Sequence, residues 1–238
     1  MSTWPDLPGA LEQVDADVLI TAATKWIVPQ SILDRFGKRA VNIHPTLLPE
    51  YRGPSPYLPM LLENRGDTDG GATLHVLSAG IDEGDIIAQR RVPFSASGGS
   101  FTSWYAELSL AVLRLARDEL PRYFASGTTV TPQVGGRYVK MHAPYILEPG
   151  SSAAQVRELL SRAGSTYGMA VHVAGRQRKV IVTKVLREMP LAGSGARLSP
   201  LSVELDFADA RLRLSRPTRL QRALARWELA WRLRSLQL

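Results

Sequence analysis

The first apolar run of the chain, Asp17-Val18-Leu19-Ile20-Thr21, is short and rich in branched residues, and predicts a buried strand. Pro29 to Phe36 then places a proline near the start of an apolar-periodic segment, with Gly37 as its stop, and predicts a short helix. Arg39–Ile43 predicts a second strand. Pro56–Asn64 predicts a helix ending near Gly66, Thr73–Leu77 a third strand, and Ile86–Gln89 the start of a fourth. Over 101–124, Leu108, Val112, Leu115 and Leu120 recur at helical spacing and predict one long helix. Strands alternating with helices predict an α/β layered domain over residues 1–130.

The texture then changes. Residues 126–150 are rich in Gly, Thr and Pro, and 131–150 read as a linker. Ser152–Ala163 predicts a helix opened by a serine cap. Met169–Ala174 and Lys179–Leu186 predict strands around the turn Gly175-Arg176, and Leu201–Phe207 and Ala210–Ser215 two more. Residues 151–216 thus predict a small β-rich module. In 217–238, Leu220, Leu224, Trp227 and Trp231 fall on one face of an amphipathic helix, and Thr218 with Gln221 fits a capping box. That helix either docks its tryptophan stripe on the protein or meets RNA or a membrane surface.

Charge sharpens this division. Residues 1–140 hold 13 Lys/Arg against 15 Asp/Glu, whereas 141–238 hold 16 against 7, so the formal net charge of +7 belongs to the second part. Such an excess suits either a polyanionic partner such as RNA or a solvated arginine-rich surface. The absence of cysteine excludes a disulfide framework and a thiolate metal site, and suits a reducing cytoplasm. The opening MSTWPDLPGALEQVDAD has acids and no basic flank, so no signal peptide is expected. No apolar run is long enough to predict a membrane span.

Candidate chemistry sits in VNIHPTLLPEYRG, residues 41–53. Reactive side chains of open α/β sheets gather at the carboxyl ends of strands. Asn42 and His44, two apart at such an end, point to the same side. The loop AGIDEGDII supplies Asp82. An Asn amide and a His can donate to a carbonyl oxygen as it becomes an oxyanion, and an Asp can orient the imidazole. No Ser or Cys stands in a nucleophile-elbow setting, which points to direct attack by an external nucleophile. Spacing alone equally allows a lone histidine on a loop. His44, His75, His142 and His172 show no paired metal-ligand spacing, so no metal is expected.

Asn42 to Pro49, Arg52-Gly53, Pro56, Gly71-Ala72-Thr73 and Ile81 to Ile87 together resemble the formyltetrahydrofolate-dependent formyltransferase family, which includes methionyl-tRNA formyltransferase and the amino-sugar N-formyltransferases. The resemblance runs from about Asp17 to about Gln133. It implies a Rossmann-like formyltransferase domain, 10-formyltetrahydrofolate as formyl donor, and a primary amine as acceptor. By the same resemblance Asn42 and His44 polarise the transferred formyl group, and Asp82 tunes His44 and helps remove the amine's proton. Trp26, Ile27, Val28, Leu77, Gly80, Ile81 and Gly84 would line the folate pocket, with Pro45 and Pro49 stiffening the loop. The later module is weakly similar to the basic C-terminal domain of methionyl-tRNA formyltransferase, which implies tRNA as partner; the loop Glu50–Pro56 is worded more like the sugar-modifying branch, which implies a nucleotide sugar. Thr46 replaces the family's usual serine and keeps the hydroxyl. The family's domain has further βα units before the strand at Val18, so an N-terminally truncated catalytic domain is expected here. A wrong start, a homodimer mate or second chain completing the sheet, or a catalytically incomplete binding protein would each account for it.

Overall fold

Side-chain alternation along one central strand organises the first half of the protein. The computed structural model describes residues 7–12, 14–24, 26–54, 56–126, 129–140, 145–164, 168–173, 179–193 and 195–218. The central strand, β2 (Ala40–His44), is buried along its whole length. β1 (Leu19–Ala22) pairs with it in parallel, and β3 (Gly71–Val76) and β4 (Ile86–Arg91) follow antiparallel, in the order β1-β2-β3-β4. The chain divides into two units, Met1–Gly98 with Trp104–Met141 and Gly99–Ser103 with His142–Leu238.

The sheet has two chemically different faces because side chains alternate along each strand. Val41 and Ile43 of β2, with Ala72 and Leu74 of β3, pack on Ala111, Leu115, Leu120 and Tyr123 of α5 (Phe101–Ser126). This apolar contact removes both the sheet face and the helix stripe from water, which is the main favourable term in folding. The residues between them form the other face. Thr21, Asn42 and His75 stand in one row across β1, β2 and β3, and His44, Thr73 and Gln89 in the next across β2, β3 and β4. A second apolar cluster joins Ile32, Leu33 and Phe36 of α2 (Gln30–Phe36) to Ala40 and to Leu11 of α1 (Leu7–Glu12). α3 (Tyr57–Leu62) and α4 (Gly66–Asp69) lie between β2 and β3 in sequence.

The second unit is built differently. α6 (Ala153–Leu159) starts at a full capping box between Ser152 and Gln155. β5 (Met169–Val171) and β6 (Val180–Val182) pair with each other. β7 (Val185–Met189), β8 (Arg197–Leu198), β9 (Ser202–Asp206) and β10 (Arg211–Ser215) form an antiparallel sheet in the order β7-β10-β9-β8. Part of the expected positive charge is consumed within this sheet. The buried Arg211 meets Glu204 and Asp206, and Arg213 meets Glu204.

The α/β layering and the later β-rich module match the reading of the sequence, with element ends shifted by a residue or two. Four differences stand out. The run Lys179–Leu186, expected as one strand, breaks between Val182 and Val185 because its halves join different partners, β5 and β10. The helix expected over Ser152–Ala163 changes after Leu159 into a π-helical turn, Leu160–Gly164. β8, two residues long, carries no periodic signal at all. Finally, the stretch expected as linker supplies paired backbone: Thr131 bridges Ile86, Tyr138 bridges Arg52, and Ile146 bridges Ala170. Arg216–Thr218 is irregular, and the remainder of the amphipathic helix expected over 217–238 lies outside the described residues. Among the described residues no helix is long and apolar enough to cross a membrane.

Leu115 is buried in the apolar cluster on the face of the sheet opposite its polar rows. Leu115→Ala is expected to destabilise the first unit by about 2–5 kcal/mol through lost burial and the cavity left behind. A fall in the midpoint of urea unfolding followed by tryptophan fluorescence checks this.

Candidate active site

Asn42 is held on all sides by its own row. Thr21 Oγ1 donates to Asn42 Oδ1 at 2.9 Å from β1, and Asn42 Nδ2 reaches His75 Nε2 at 3.0 Å on β3. His75 Nδ1 lies 2.9 Å from the Val76 carbonyl, which can only accept, so Nδ1 carries the ring proton and Nε2 offers its lone pair to Asn42. The second hydrogen of Asn42 Nδ2 goes to Asp82 Oδ1 at 3.3 Å. These partners also fix which end of the amide is nitrogen, since an oxygen there would face the carboxylate.

His44 lies one turn of the strand further on and is equally enclosed. Nε2 stands 2.9 Å from the Tyr51 carbonyl and Nδ1 stands 3.3 Å from Asp82 Oδ2. Both ring nitrogens therefore face acceptors, and only the imidazolium can donate to both. Burial acts against that charge and draws the His44 pKa below its ordinary value, while Asp82 and the Tyr51 carbonyl pull it back up and His75 adds to the lowering. The ring is thus poised by opposed effects.

Asp82 joins the two histidines and the asparagine. Besides its contacts with Asn42 and His44, its Oδ2 accepts from the Gly53 backbone N–H at 2.9 Å, and its Oδ1 lies 3.6 Å from His75 Nε2, beyond hydrogen-bond reach. Burial favours the neutral acid, but the charge available on His44 and the Gly53 N–H oppose it, and the carboxyl is held below its usual range. Asp82 itself sits at φ +54, a left-handed conformation that non-glycine residues seldom take.

The loop after β2 is braced from below and above. Thr73 Oγ1 donates to the Thr46 carbonyl at 2.6 Å and accepts from Leu48 N–H at 3.0 Å, while Gln89 Nε2 holds the Leu48 carbonyl at 2.8 Å. Thr46 keeps the hydroxyl expected at its position, and it binds the Glu50 carbonyl at 3.0 Å. Tyr51, at φ +56 and buried, offers the carbonyl that His44 uses. Its hydroxyl donates to Glu63 at 2.6 Å, and Arg137 stacks over its ring at 4.6 Å while also pairing with Glu63. Gly53 has φ +113, and a Cβ there would stand 2.5 Å from the Val139 carbonyl, so only glycine allows this close approach.

The structure therefore brings Asn42, His44 and Asp82 together, as expected, and adds His75, Thr21 and the backbone of Tyr51 and Gly53. His75 was visible in the sequence only as an isolated histidine; its pairing with Asn42 depends on the β2–β3 register, which local sequence does not carry. Of the residues expected to line a folate pocket, Val28 and Leu77 pack on one small apolar cluster, whereas Trp26 and Ile27 are exposed. Gly80 accepts from Ser78, Ile81 precedes Asp82 in its loop, and Gly84 packs its backbone against Val76, where a Cβ would stand 1.8 Å from the carbonyl oxygen. Among the described residues no group of three or more His, Cys, Asp or Glu is arranged to hold a metal ion.

Two outcomes follow from these charges. In Asp82→Asn the carboxylate no longer supports the imidazolium, so the His44 pKa is expected to fall further, as read from its imidazole shifts against pH. In the wild type both shifts are downward, so each contribution to stability is complete above the unfolded pKa and is lost as pH drops through the folded one. Stability is expected to start declining below about pH 6.5 for His44 and again below about pH 3.9 for Asp82. His44→Gln should flatten the upper stage of the unfolding midpoint plotted against pH.

The segment that carries this site resembles known proteins. The sequence model of the formyl transferase family matches residues 3–107. Methionyl-tRNA formyltransferase of Listeria monocytogenes is 38% identical over 120 residues, which is 50% of this chain and 38% of that protein. The chain thus spans less than half the length of this curated relative. Among solved structures, HypX from Aquifex aeolicus in complex with tetrahydrofolic acid has a TM-score of 0.65 at 22% identity, covering 90% of this chain and 38% of that one. An N-formyltransferase from Helicobacter canadensis, in complex with folinic acid and dTDP-3-aminofucose, has a TM-score of 0.52 at 15% identity, covering 77% and 68%. At these identities the two structures speak for the fold alone. Through residues 3–107, which carry Asn42, His44 and Asp82, the chain is similar to the formyl transferase family.

Proposed function

We propose that this chain transfers a formyl group from 10-formyltetrahydrofolate to a primary amine. The observation that carries this reading is the shared carboxylate of Asp82, which touches both Asn42 and His44 across two neighbouring polar rows of the sheet. The amine nitrogen attacks the formyl carbon, and the carbonyl oxygen becomes an oxyanion that Asn42 Nδ2 and His44 receive. Neither has a spare hydrogen in the resting arrangement: His75 and Asp82 hold both of Asn42's, and the His44 ring nitrogens face Tyr51 and Asp82. For each residue the longer contact, at 3.3 Å to Asp82, is the one that yields to the formyl oxygen. That exchange also frees Asp82 Oδ1 to take the proton that the amine must lose. Breaking the bond between the formyl carbon and N10 returns tetrahydrofolate, whose N10 gains one proton, so the amine's proton and the folate's balance across the site.

The folate donor is supported by the tetrahydrofolic acid and folinic acid held by the two structural neighbours. The acceptor falls in one of two classes, methionyl-tRNA, after the Listeria relative, or a nucleotide-linked amino sugar, after the Helicobacter one. Assay of the purified chain with 10-formyltetrahydrofolate and each acceptor separates them. Asn42→Ala and His44→Ala are each expected to lower kcat on the order of 10²–10³-fold, the scale of losing one oxyanion donor. If the wild type neither transfers nor hydrolyses the formyl group, and matches His44→Ala in this, the chain is a binding protein rather than a catalyst.

A further inference from the structure

The loop that carries Asp82 runs from β3 to β4, and its far side is closed by residues well beyond the sheet. After α5 the chain returns along the start of β4. Ile86 and Thr131 exchange both backbone hydrogen bonds at 2.8 Å, an antiparallel pair. Continuing that register places Gln133 opposite Gly84. There the backbone ladder is replaced by a side chain. Gln133 Nε2 donates to the Asp82 carbonyl at 3.1 Å and to the Gly84 carbonyl at 2.5 Å. Only the NH₂ end of the amide can face two carbonyls, so its orientation is fixed. One side chain thereby grips the loop on both sides of Glu83.

The grip falls where the loop most needs it. Asp82 holds φ +54, a left-handed conformation that persists only when its surroundings over-determine it. The same returning segment holds the other loop of the site. Arg52 N–H donates to the Arg137 carbonyl at 2.9 Å, Val139 N–H donates to the Arg52 carbonyl at 2.8 Å, and Arg137 N–H reaches the Pro49 carbonyl at 3.2 Å. Residues 131–139 therefore span both loops whose contact, Gly53 N–H to Asp82 Oδ2, completes the site.

We propose that Gln133 is a positioning residue for Asp82: it sets the backbone on which the carboxylate is aimed at Asn42 and His44, without touching the reacting atoms. The proposal rests on the formyl-transfer reading for its kinetic consequence, but not for its structural one. Two readouts keep them apart. Gln133→Met keeps the volume and removes the donor. Gln133→Glu keeps the shape and turns a carboxylate toward two carbonyls. Gln133→Asn, too short to reach both carbonyls, stands in if the Met variant does not fold.

The first readout is the His44 imidazole titration by NMR in the chain without substrate, assigned with His44→Ala. A misaimed Asp82 no longer supports the imidazolium, so the pKa in Gln133→Met should move downward. In Gln133→Glu the added negative charge opposes that movement. The second is kcat and KM at a temperature well below unfolding. For Gln133→Met we expect kcat to drop on the order of 10–100-fold with KM for the folate nearly unchanged, the scale of a misplaced catalytic group. A displaced titration in a chain that shows no formyl transfer sustains the positioning role and removes the catalytic reading. Unchanged titration and kcat in folded Gln133→Met overturn the proposal, even if its unfolding temperature falls, since that would be a structural role only.

Discussion

Everything in the first unit converges on one carboxylate. Asp82 accepts from a backbone N–H of the β2–β3 segment and from an amide on β2, and it faces an imidazole on the same strand. A buried carboxylate without such partners would lose its charge. With them it stays ionised, and it becomes the bolt that locks two loops from opposite ends of the central strands. The polar row of the sheet can be buried only because this charge is shared so widely. The apolar row behind it has a simpler task, to keep β2 and β3 in register against α5.

The division of labour between the sheet faces explains why the site is rigid. Val41, Ile43, Ala72 and Leu74 are fixed by packing, and their sequence neighbours Asn42, His44, Thr73 and His75 inherit that fixity with opposite orientation. Donors fixed in this way need no reorganisation when charge develops on a bound group. Tyr51 and Asp82 are two of the four described non-glycine residues in left-handed backbone conformations, and both contact the His44 ring.

Much of this was legible in the residues. Asn42 and His44 lie two apart at the end of an apolar strand, and Asp82 lies in a loop of small residues, so local patterning and family resemblance locate all three. His75 was not legible as a partner of Asn42, because antiparallel register is a property of two strands together. Gln133 was hidden for a further reason: a Gly-, Thr- and Pro-rich stretch reads as connection, and nothing local says that it returns to a loop 51 positions earlier. The split of Lys179–Leu186 into β6 and β7 is a similar case. Its apolar pattern is continuous, while its hydrogen-bond partners change.

That distance in sequence between Gln133 and Asp82 bears on how the protein is made. Closing a long loop costs chain entropy before any contact returns it. Here most of the intervening chain is α5, which must first lay its apolar stripe on the sheet and so bring residue 131 to the edge of β4. The sheet and helix can form as soon as α5 has left the ribosome, but the loops of the site remain unfastened until residues 131–139 emerge as well. A nascent chain that ends just after α5 would thus hold the right side chains on the right strands and still lack the fastening that sets their aim.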